Sequence, residues 1–405
     1  MILFILSTLS LAAWSWIAFR RLPVLRPLER LLPATRLEAW PEVAAIVPAR
    51  NEAASIEAIV SAHMASGYPG RLTLILVDDH STDDTAERAR RAVLTTDGNA
   101  ANAKRDTDCD YLIELSDQRV FALTRAPTLE PGWTGKLSAV NAGLERVNDL
   151  APAASYILLC DADIILKADT LEKLVAHAKA EGTALTSLMA RLDNRGFWGG
   201  LLIPAFVFFF QKLYPFDRSN DANDEVAAAA GGCMLLRRDA LEAIDGVSSI
   251  RDRLIDDCAL ASAIKKTGGK IWLGIAKDEA VSLRDNRSLG SIWKMVARTA
   301  FTQLGLNWFA LIGAVIGMAL LYLLAPAIAL GLPVHGNELA AAIAAAAWAV
   351  MALTYLPTAR IYDETPLITF ALPLAALLYT AMTISSAINH ALGHGGQWKG
   401  RTYSA

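Results

Sequence analysis

Long apolar stretches at both ends of the chain bracket a middle of ordinary globular composition, and this restricts the fold more than any motif. Residues 1–19 (MILFILSTLSLAAWSWIAF) carry no charge and are long enough to span a bilayer. Three further apolar stretches close the chain, at roughly 309–332, 338–358 and 366–389. They bring the apolar content of the 405 residues to 54%, above that of a soluble domain. The first stretch lacks a basic leader and an Ala-x-Ala-like cleavage site, so the pattern predicts a retained anchor over 1–20. Arg20, Arg21, Arg26 and Arg30 follow it, which puts that side, and the middle of the chain with it, in the cytoplasm. Three more spans over 309–391 would leave the tail 392–405 outside, whereas its Lys399 and Arg401 favour the inside. A re-entrant closing segment would reconcile the two, and the number of spans stays open.

The middle, residues 41–295, has the length for one core. Trp40–Asn51 is a short apolar run stopped by Pro-Ala-Arg-Asn, the pattern of a buried parallel strand entering a loop. Helical periodicity over Glu52–Ser66 ends at Gly67-Tyr-Pro-Gly70, and a second buried strand over Leu72–Val77 ends at Asp78-Asp79. Strand, helix, strand, helix in this rhythm predicts βαβ units and an α/β fold with a parallel sheet. Residues 95–108 are small and polar and read as a surface loop. Residues 131–136 form a turn into a helix over Leu137–Val147, and a strand over Tyr156–Cys160 follows. A net charge of −3 gives no support to a nucleic-acid partner. Cys109, Cys160, Cys233 and Cys258 show no C-x-x-C spacing and read as small core residues.

Acids gather where the strands end: Glu52, Asp78, Asp79, Asp161 and Asp163. Open α/β sheets bind ligands in the crevice at that edge. Alternation along a strand aims the carboxylates of Asp161 and Asp163 the same way, at a cost in repulsion unless a cation lies beside them. The pair therefore reads as a divalent-metal or metal-diphosphate site.

Four blocks in order, Val47-Pro-Ala-Arg-Asn-Glu52, Val77-Asp-Asp-His-Ser-Thr-Asp-Asp-Thr85, Gly135-Lys136 with Asn141-Ala-Gly143, and Asp161-Ala-Asp163, resemble family 2 glycosyltransferases of the GT-A (Rossmann-like) fold. The stretches Leu202–Tyr214, Ala227–Met234 and Leu254–Leu260 resemble, more narrowly, the hopene-associated glycosyltransferases of hopanoid-making bacteria. The resemblance implies a bacterial inner-membrane enzyme that uses a nucleotide-sugar donor, with UDP expected, a lipid acceptor and Mg2+ or Mn2+. It implies that Pro48, Arg50 and Glu52 line the nucleoside pocket and that Asp79 meets the base. Asp161 would approach ribose and metal, Asp163 would ligate the metal, and Lys136 would contact diphosphate or sugar. Asp256-Asp257, 94 residues beyond Asp163, occupies the place of the family's acidic pair, whose second member removes the acceptor's proton. Asp257 is then the catalytic base, and Asp256 suits a helix N-cap.

The family's Gln-x-x-Arg-Trp element is incomplete. Its nearest match is Gln303-Leu-Gly-Leu-Asn-Trp308, and Arg298, five residues upstream, is the candidate to supply the missing charge. Processive polymer synthesis is put in doubt. Residues 201–216, rich in phenylalanine but short for a span, read as a helix lying at the bilayer surface. Gly231-Gly232, after four alanines, permits close approach of a sugar or lipid, or serves packing. The element 397–403 has no physical role from sequence. Two other readings use the same residues: a metal-dependent nucleotidyltransferase, and a non-catalytic partner in a lipid-pathway complex.

Overall fold

The computed structural model describes residues 1–20, 29–31, 37–97, 103–104, 111–393, 395, 397–398 and 401–402. Arg21, Arg26, Lys399 and most of the 95–108 loop lie outside the described residues. Strands β1 (Val43–Ala49), β2 (Leu72–Asp78), β3 (Ala103–Lys104), β4 (Tyr111–Ser116), β5 (Arg119–Arg125), β6 (Tyr156–Cys160), β8 (Leu185–Met189), β9 (Cys233–Arg237) and β10 (Ile271–Ile275) form one sheet. Its order is β10-β8-β9-β6-β1-β2-β5-β4-β3, and the short strands β7 (Ile164–Leu166) and β11 (Ala280–Ser282) pair separately. The sheet is mixed, where sequence rhythm alone predicts a parallel one. β1, β2, β5 and β6 run parallel, while β4 and β9 run antiparallel to their neighbours. The β4–β5 pair is a hairpin that a search for βαβ units passes over.

Every residue of β1 and β2 is buried, because both faces of the sheet are covered. Helices α2 (Ile56–Met64), α3 (Thr85–Asp97) and α5 (Thr170–Glu181) cover the face bearing Val43, Ala45 and Val47. Helix α4 (Gly135–Leu150) covers the face bearing Ala44 and Ile46. From β1 the chain proceeds through β2 to β5 on one side, then returns to β6 on the other. The sheet therefore has its topological switch between β1 and β6, where the carboxyl ends of both strands open a crevice. Cys160 and Cys233 face each other across β6 and β9 as buried free thiols, in line with a core role.

Five helical segments among the described residues are long and apolar enough to cross a membrane: Ile2–Phe19, Gly196–Leu213, Trp308–Leu330, Glu338–Ile361 and Pro366–Ala391. The first of these is helix α1 (Ile2–Arg20), and the second, helix α6 (Gly196–Leu213), begins five residues before the stretch picked out by sequence. The earlier start brings α6 to the length of a span. A Cβ on Gly200 would lie 2.9 Å from Glu364, and the Gln211 amide oxygen accepts a 3.2 Å hydrogen bond from Thr358, so α6 packs against the end of helix Glu338–Ile361 and the turn beyond it.

The closing segment folds back on itself. The turn that precedes it is tied to the sheet domain, with Asp363 bound to Arg191 at 2.9 Å and to Lys277 at 3.2 Å. The 3-10 turn Pro366–Ala371 then climbs along the preceding helix until the Phe370 carbonyl accepts from Trp348 Nε1 at 3.1 Å. Trp348 lies thirteen residues, or about 20 Å, from the helix end at Ile361. Helix Leu372–Ala391 comes back, and Ser385 and Ser386 accept from Trp293 Nε1 (3.1 Å) and the Phe301 amide (3.0 Å). Both ends of the segment therefore sit on the side of the sheet domain. Beyond it, Gln397–Trp398 pairs antiparallel with Arg401–Thr402.

Gly143 tests how closely α4 must approach the sheet. A Cβ there would stand 2.5 Å from Ile46 Cγ2 and 3.2 Å from Val77 Cγ2, both on fully buried side chains. Gly143→Ala is expected to lower stability by about 1–3 kcal/mol in thermal unfolding, as overpacking does in a filled core.

Candidate active site

The loops after β1 and β2 are knitted together before any ligand is considered. Asn51 and His80 adopt left-handed backbone conformations, with φ of 52° and 54°, each at the residue where its strand breaks into a loop. The Asn51 amide donates to Ser81 Oγ at 3.0 Å, the Asn51 side-chain oxygen accepts from the Thr82 amide at 2.8 Å, and the Glu52 amide donates to Thr85 Oγ1 at 2.8 Å. Arg50 crosses the same gap. Its guanidinium donates to the Asp79 carbonyl at 2.5 Å and lies 3.7 Å from the Asp79 carboxylate. Arg50 and Asp79 form the base of this edge, with Asp79 only 2% exposed.

A cavity of about 760 Å3 opens from the crevice. Pro48, Glu52, Lys136, Asp161, Asp163, Asp256, Asp257, Arg298 and Gln303 all line it. Arg50 and Asp79 are not among its lining residues and act from behind the wall. Nine of the eleven residues named from sequence are thereby brought to one space, from five separate parts of the chain.

Lys136 is the electrostatic centre of that space. Helix α4 begins at Gly135 with Thr134 as its N-cap, accepting from the Leu137 amide at 3.4 Å, which places Lys136 at the helix mouth. Its Nζ stands 2.9 Å from Asp161 Oδ1 and 3.0 Å from Asp256 Oδ2. Burial alone would lower the pKa of this amine, and the Asp161 and Asp256 carboxylates more than offset that, holding it above the ordinary lysine range.

Asp163 takes a different partner. Alternation along a strand aims it with Asp161, but the chain turns at this point, the Ile164 amide donating to the Asp161 carbonyl at 3.0 Å. The Asp163 carboxylate accepts from Ser282 Oγ at 3.2 Å and lies 3.4 Å from Arg284 Nε. Each carboxylate thus has its own cation, which relieves the repulsion the spacing implied. Neither Ser282 nor Arg284 was legible as a site residue, since no motif marks the end of β11.

Asp257, expected from the resemblance to be the base, is held by backbone amides. It opens helix Asp256–Lys266 and accepts from the Gly231 amide at 2.9 Å and the Cys258 amide at 2.8 Å. Burial, and then the negative charge of Asp256, push its carboxyl up to about 6, while Lys136 and the two amides pull the other way. Gly231 has a specific part in this. A Cβ there would lie 3.2 Å from Asp257 Oδ2, so the glycine seats the carboxylate itself, more directly than it makes room for a ligand. The N-cap of this helix is Ile255, so the capping role expected of Asp256 is not seen.

Arg298 completes the cluster. Burial and the neighbouring Arg284 charge press its guanidinium downward in pKa, and Asp161, Asp256 and Asp163 support it. Its Nε is buried without a hydrogen-bond partner among the described residues, a donor left for something else to satisfy. Gln303 Nε2 bonds the Tyr214 hydroxyl at 2.5 Å, and Trp308 packs on Phe301 with ring centroids 5.2 Å apart.

Among the described residues no three His, Cys, Asp or Glu side chains converge as a protein-only metal site requires. Asp161 and Asp163 do provide hard carboxylate oxygens on one wall of the cavity. That donor set suits Mg2+ or Mn2+ when diphosphate and water supply the remaining ligands.

Replacing Lys136 by Met should destabilise the protein through the uncompensated carboxylates of Asp161 and Asp256. The Asp257 carboxyl is already raised to about 6, so the protein gains proton-linked stability as pH falls through that value and loses it as pH rises. The melting-temperature deficit of Lys136→Met is therefore expected to be larger at pH 8 than at pH 5. An equal deficit at both would show that Lys136 does not serve to balance these charges.

Comparison with known proteins bears on the same region. No curated protein matches the sequence. Among solved structures, a mannosyltransferase from Pyrobaculum calidifontis, in complex with GDP-Man and Mn2+, superposes with a TM-score of 0.53 at 20% identity, over 96% of this chain and 98% of that one. A glucosyl-3-phosphoglycerate synthase from Mycobacterium tuberculosis, in complex with Mg2+ and UDP, gives a TM-score of 0.39 at 17% identity, over 65% and 80%. The first likeness is one of fold and agrees with the GT-A-like α/β expectation. The model of glycosyl transferase family 21 matches residues 133–405, which include Lys136, Asp161, Asp163, Asp257 and Arg298. Sequence motifs pointed to family 2, and what the two assignments share is glycosyl transfer. With its match running through more than half of the sequence, the chain belongs to glycosyl transferase family 21.

Proposed function

We propose that this protein is a membrane-bound inverting glycosyltransferase that moves a sugar from a nucleotide donor, UDP-linked, to a hydroxyl group of a lipid. One observation carries the reading: the acid and cation cluster shares a single cavity with an apolar arm lined by Phe206, Phe209, Met318, Leu321 and Tyr379. The arm lies between α6 and the closing helical segments, so a hydrocarbon chain within it would present its head to Asp257. The choice of UDP and of a hopanoid acceptor rests on the motif resemblance, and the Pyrobaculum calidifontis mannosyltransferase complex holds GDP-Man.

In this reading Asp257 takes the proton of the acceptor hydroxyl, whose oxygen forms the new bond to the anomeric carbon. The bond from that carbon to the diphosphate breaks, and the nucleoside diphosphate leaves from the opposite face. Arg298, with its unsatisfied Nε, and Arg284 donate to the departing phosphate oxygens. Asp161 and Asp163 would hold Mg2+ or Mn2+, which supplies further neutralisation of the diphosphate. Lys136 then exchanges part of its carboxylate pairing for the sugar or diphosphate. Arg50 and the loops it ties keep the nucleoside side of the crevice in shape. A nucleotidyltransferase would make no use of Asp257 beside an apolar arm.

Purified protein with a UDP-sugar, a polyprenyl or hopanoid alcohol and Mn2+ should release UDP. Asp257→Asn is expected to lower kcat by about 10²–10⁴, the range of a lost general base. Asp163→Ala and chelation by EDTA should each abolish transfer. Because Asp257 must be ionised, the wild-type rate should rise with pH through a limb near 6 that is missing in Asp257→Asn. Full activity in that variant would sink the mechanism.

We further infer that the sheet domain faces the cytoplasm of a bacterial inner membrane and that the tail after Ala391 shares that side. Support comes from the fold-back of residues 366–391, whose two ends both meet the sheet domain. In sealed inverted vesicles, cysteines replacing Glu57 and Leu392 should react with a membrane-impermeant maleimide, and one replacing Val334 should not. Protection at Leu392 together with reaction at Glu57 would mean that the closing segment crosses.

A further inference from the structure

The crevice that holds the acid cluster is open because a strand ladder ends early. Strands β1 and β6 pair from Val43 and Tyr156 to Ile46 and Leu159, whereas β1 and β2 stay paired as far as Ala49 and Asp78. At its carboxyl edge the sheet therefore divides into two halves. The loops after β1 and β2 form one, and the turn Asp161–Asp163 belongs to the other. The first half has its own ties, from Arg50, Asn51 and Glu52 to residues after β2. A hydroxyl group then reaches across to the second half. Ser55 Oγ donates to the Ala162 carbonyl at 2.8 Å, and both residues are buried.

That hydroxyl is diverted from its ordinary work. Ser55 is the N-cap residue of α2, a position where serine usually accepts a hydrogen bond from an amide of the first turn, and its side chain makes no such bond. Two other acceptors, the Glu52 carbonyl and carboxylate, lie farther off at 3.3 and 3.4 Å. A hydroxyl has one proton to donate, and the shortest of the three contacts takes it to Ala162. On the receiving side, each carbonyl of the acidic triplet is held by a different segment. Asp161 accepts from the Ile164 amide at 3.0 Å, Ala162 from Ser55, and Asp163 from the Leu283 amide at 2.7 Å. The two carboxylates point where this backbone turn sends them.

We propose that Ser55 is a positioning residue for the metal side of the site: by fixing the Ala162 peptide it keeps the carboxylates of Asp161 and Asp163 in place for a divalent cation. The role rests on the metal-dependent transfer proposed above. Removing the hydroxyl leaves a buried carbonyl without its donor. The peptide between Ala162 and Asp163 then turns to find another, and the Asp163 side chain swings with it. Helix α2 loses no cap, because this hydroxyl caps nothing. The loops after β1 and β2 keep their own ties, so the damage falls on one half of the crevice.

The test uses the full chain in detergent and counts free Mn2+ by electron paramagnetic resonance in the presence of UDP. Ser55→Ala should bind Mn2+ about three- to tenfold more weakly than wild type, the worth of one hydrogen bond. Ser55→Gly, a residue that an N-cap tolerates well, should show the same loss. Ser55→Thr, which keeps a hydroxyl at this position, should recover most of the affinity. The Kd of UDP in EDTA, measured by calorimetry, should stay at the wild-type value in all three. Unchanged Mn2+ affinity in Ser55→Ala and Ser55→Gly overturns the assignment. So does an equal weakening of Mn2+ and of UDP in EDTA, which marks a general loosening of the crevice. Wild type that takes up no Mn2+ beside UDP would instead remove the metal-dependent reading, and this role with it.

Discussion

A single ammonium group allows the carboxylates of this site to stand together. Asp161 arrives on β6 and Asp256 on a helix nearly a hundred residues later, and Lys136 holds both within 3.0 Å. Without it, the switch point of the sheet would bring like charges into a half-buried space at several kcal/mol of cost. The bridge also sets the character of Asp257, which lies beside Asp256 and is raised by burial and by that neighbour's charge. Lys136 thus supplies from within the chain the positive charge that these carboxylates need.

Backbone constraints provide the second layer. Asp257 is seated by the amides of Gly231 and Cys258, and only a residue without a Cβ allows the strand end to come that close. The left-handed residues Asn51 and His80 turn the loops after β1 and β2 sharply enough for Arg50 to clamp them. These contacts set positions before a ligand arrives, which lowers the ordering cost of binding. Arg298 is the exception, since its buried Nε has yet to find its acceptor.

The helical segments extend this site instead of merely anchoring it. Helix α6 packs at the end of a long helix, and the closing segment folds back against it, so the apolar arm between them opens into the crevice at the sheet edge.

Much of this was legible without coordinates because short-range rules govern it. Buried strands ending in acids announce themselves through apolar runs and abrupt polar stops, and β6 has the bounds read from sequence, Tyr156–Cys160. The positions of Asp161 and Asp163 pointed to one crevice because βαβ units bring carboxyl ends of strands to a common edge, whereas Asp257 was named only through the family resemblance. What sequence could not contain were contacts between distant segments. Whether Asp161 and Asp163 share a cation or take one each depends on a turn and on Arg284, which follows β11. The role of Gly231 depends on Asp257 lying across from it, and that of Arg298 on which way a helix faces. The apolar lengths at the chain ends determined that helices form there. Only packing decided that the last of them turns back, because hydropathy measures what a segment avoids and says nothing of its neighbours.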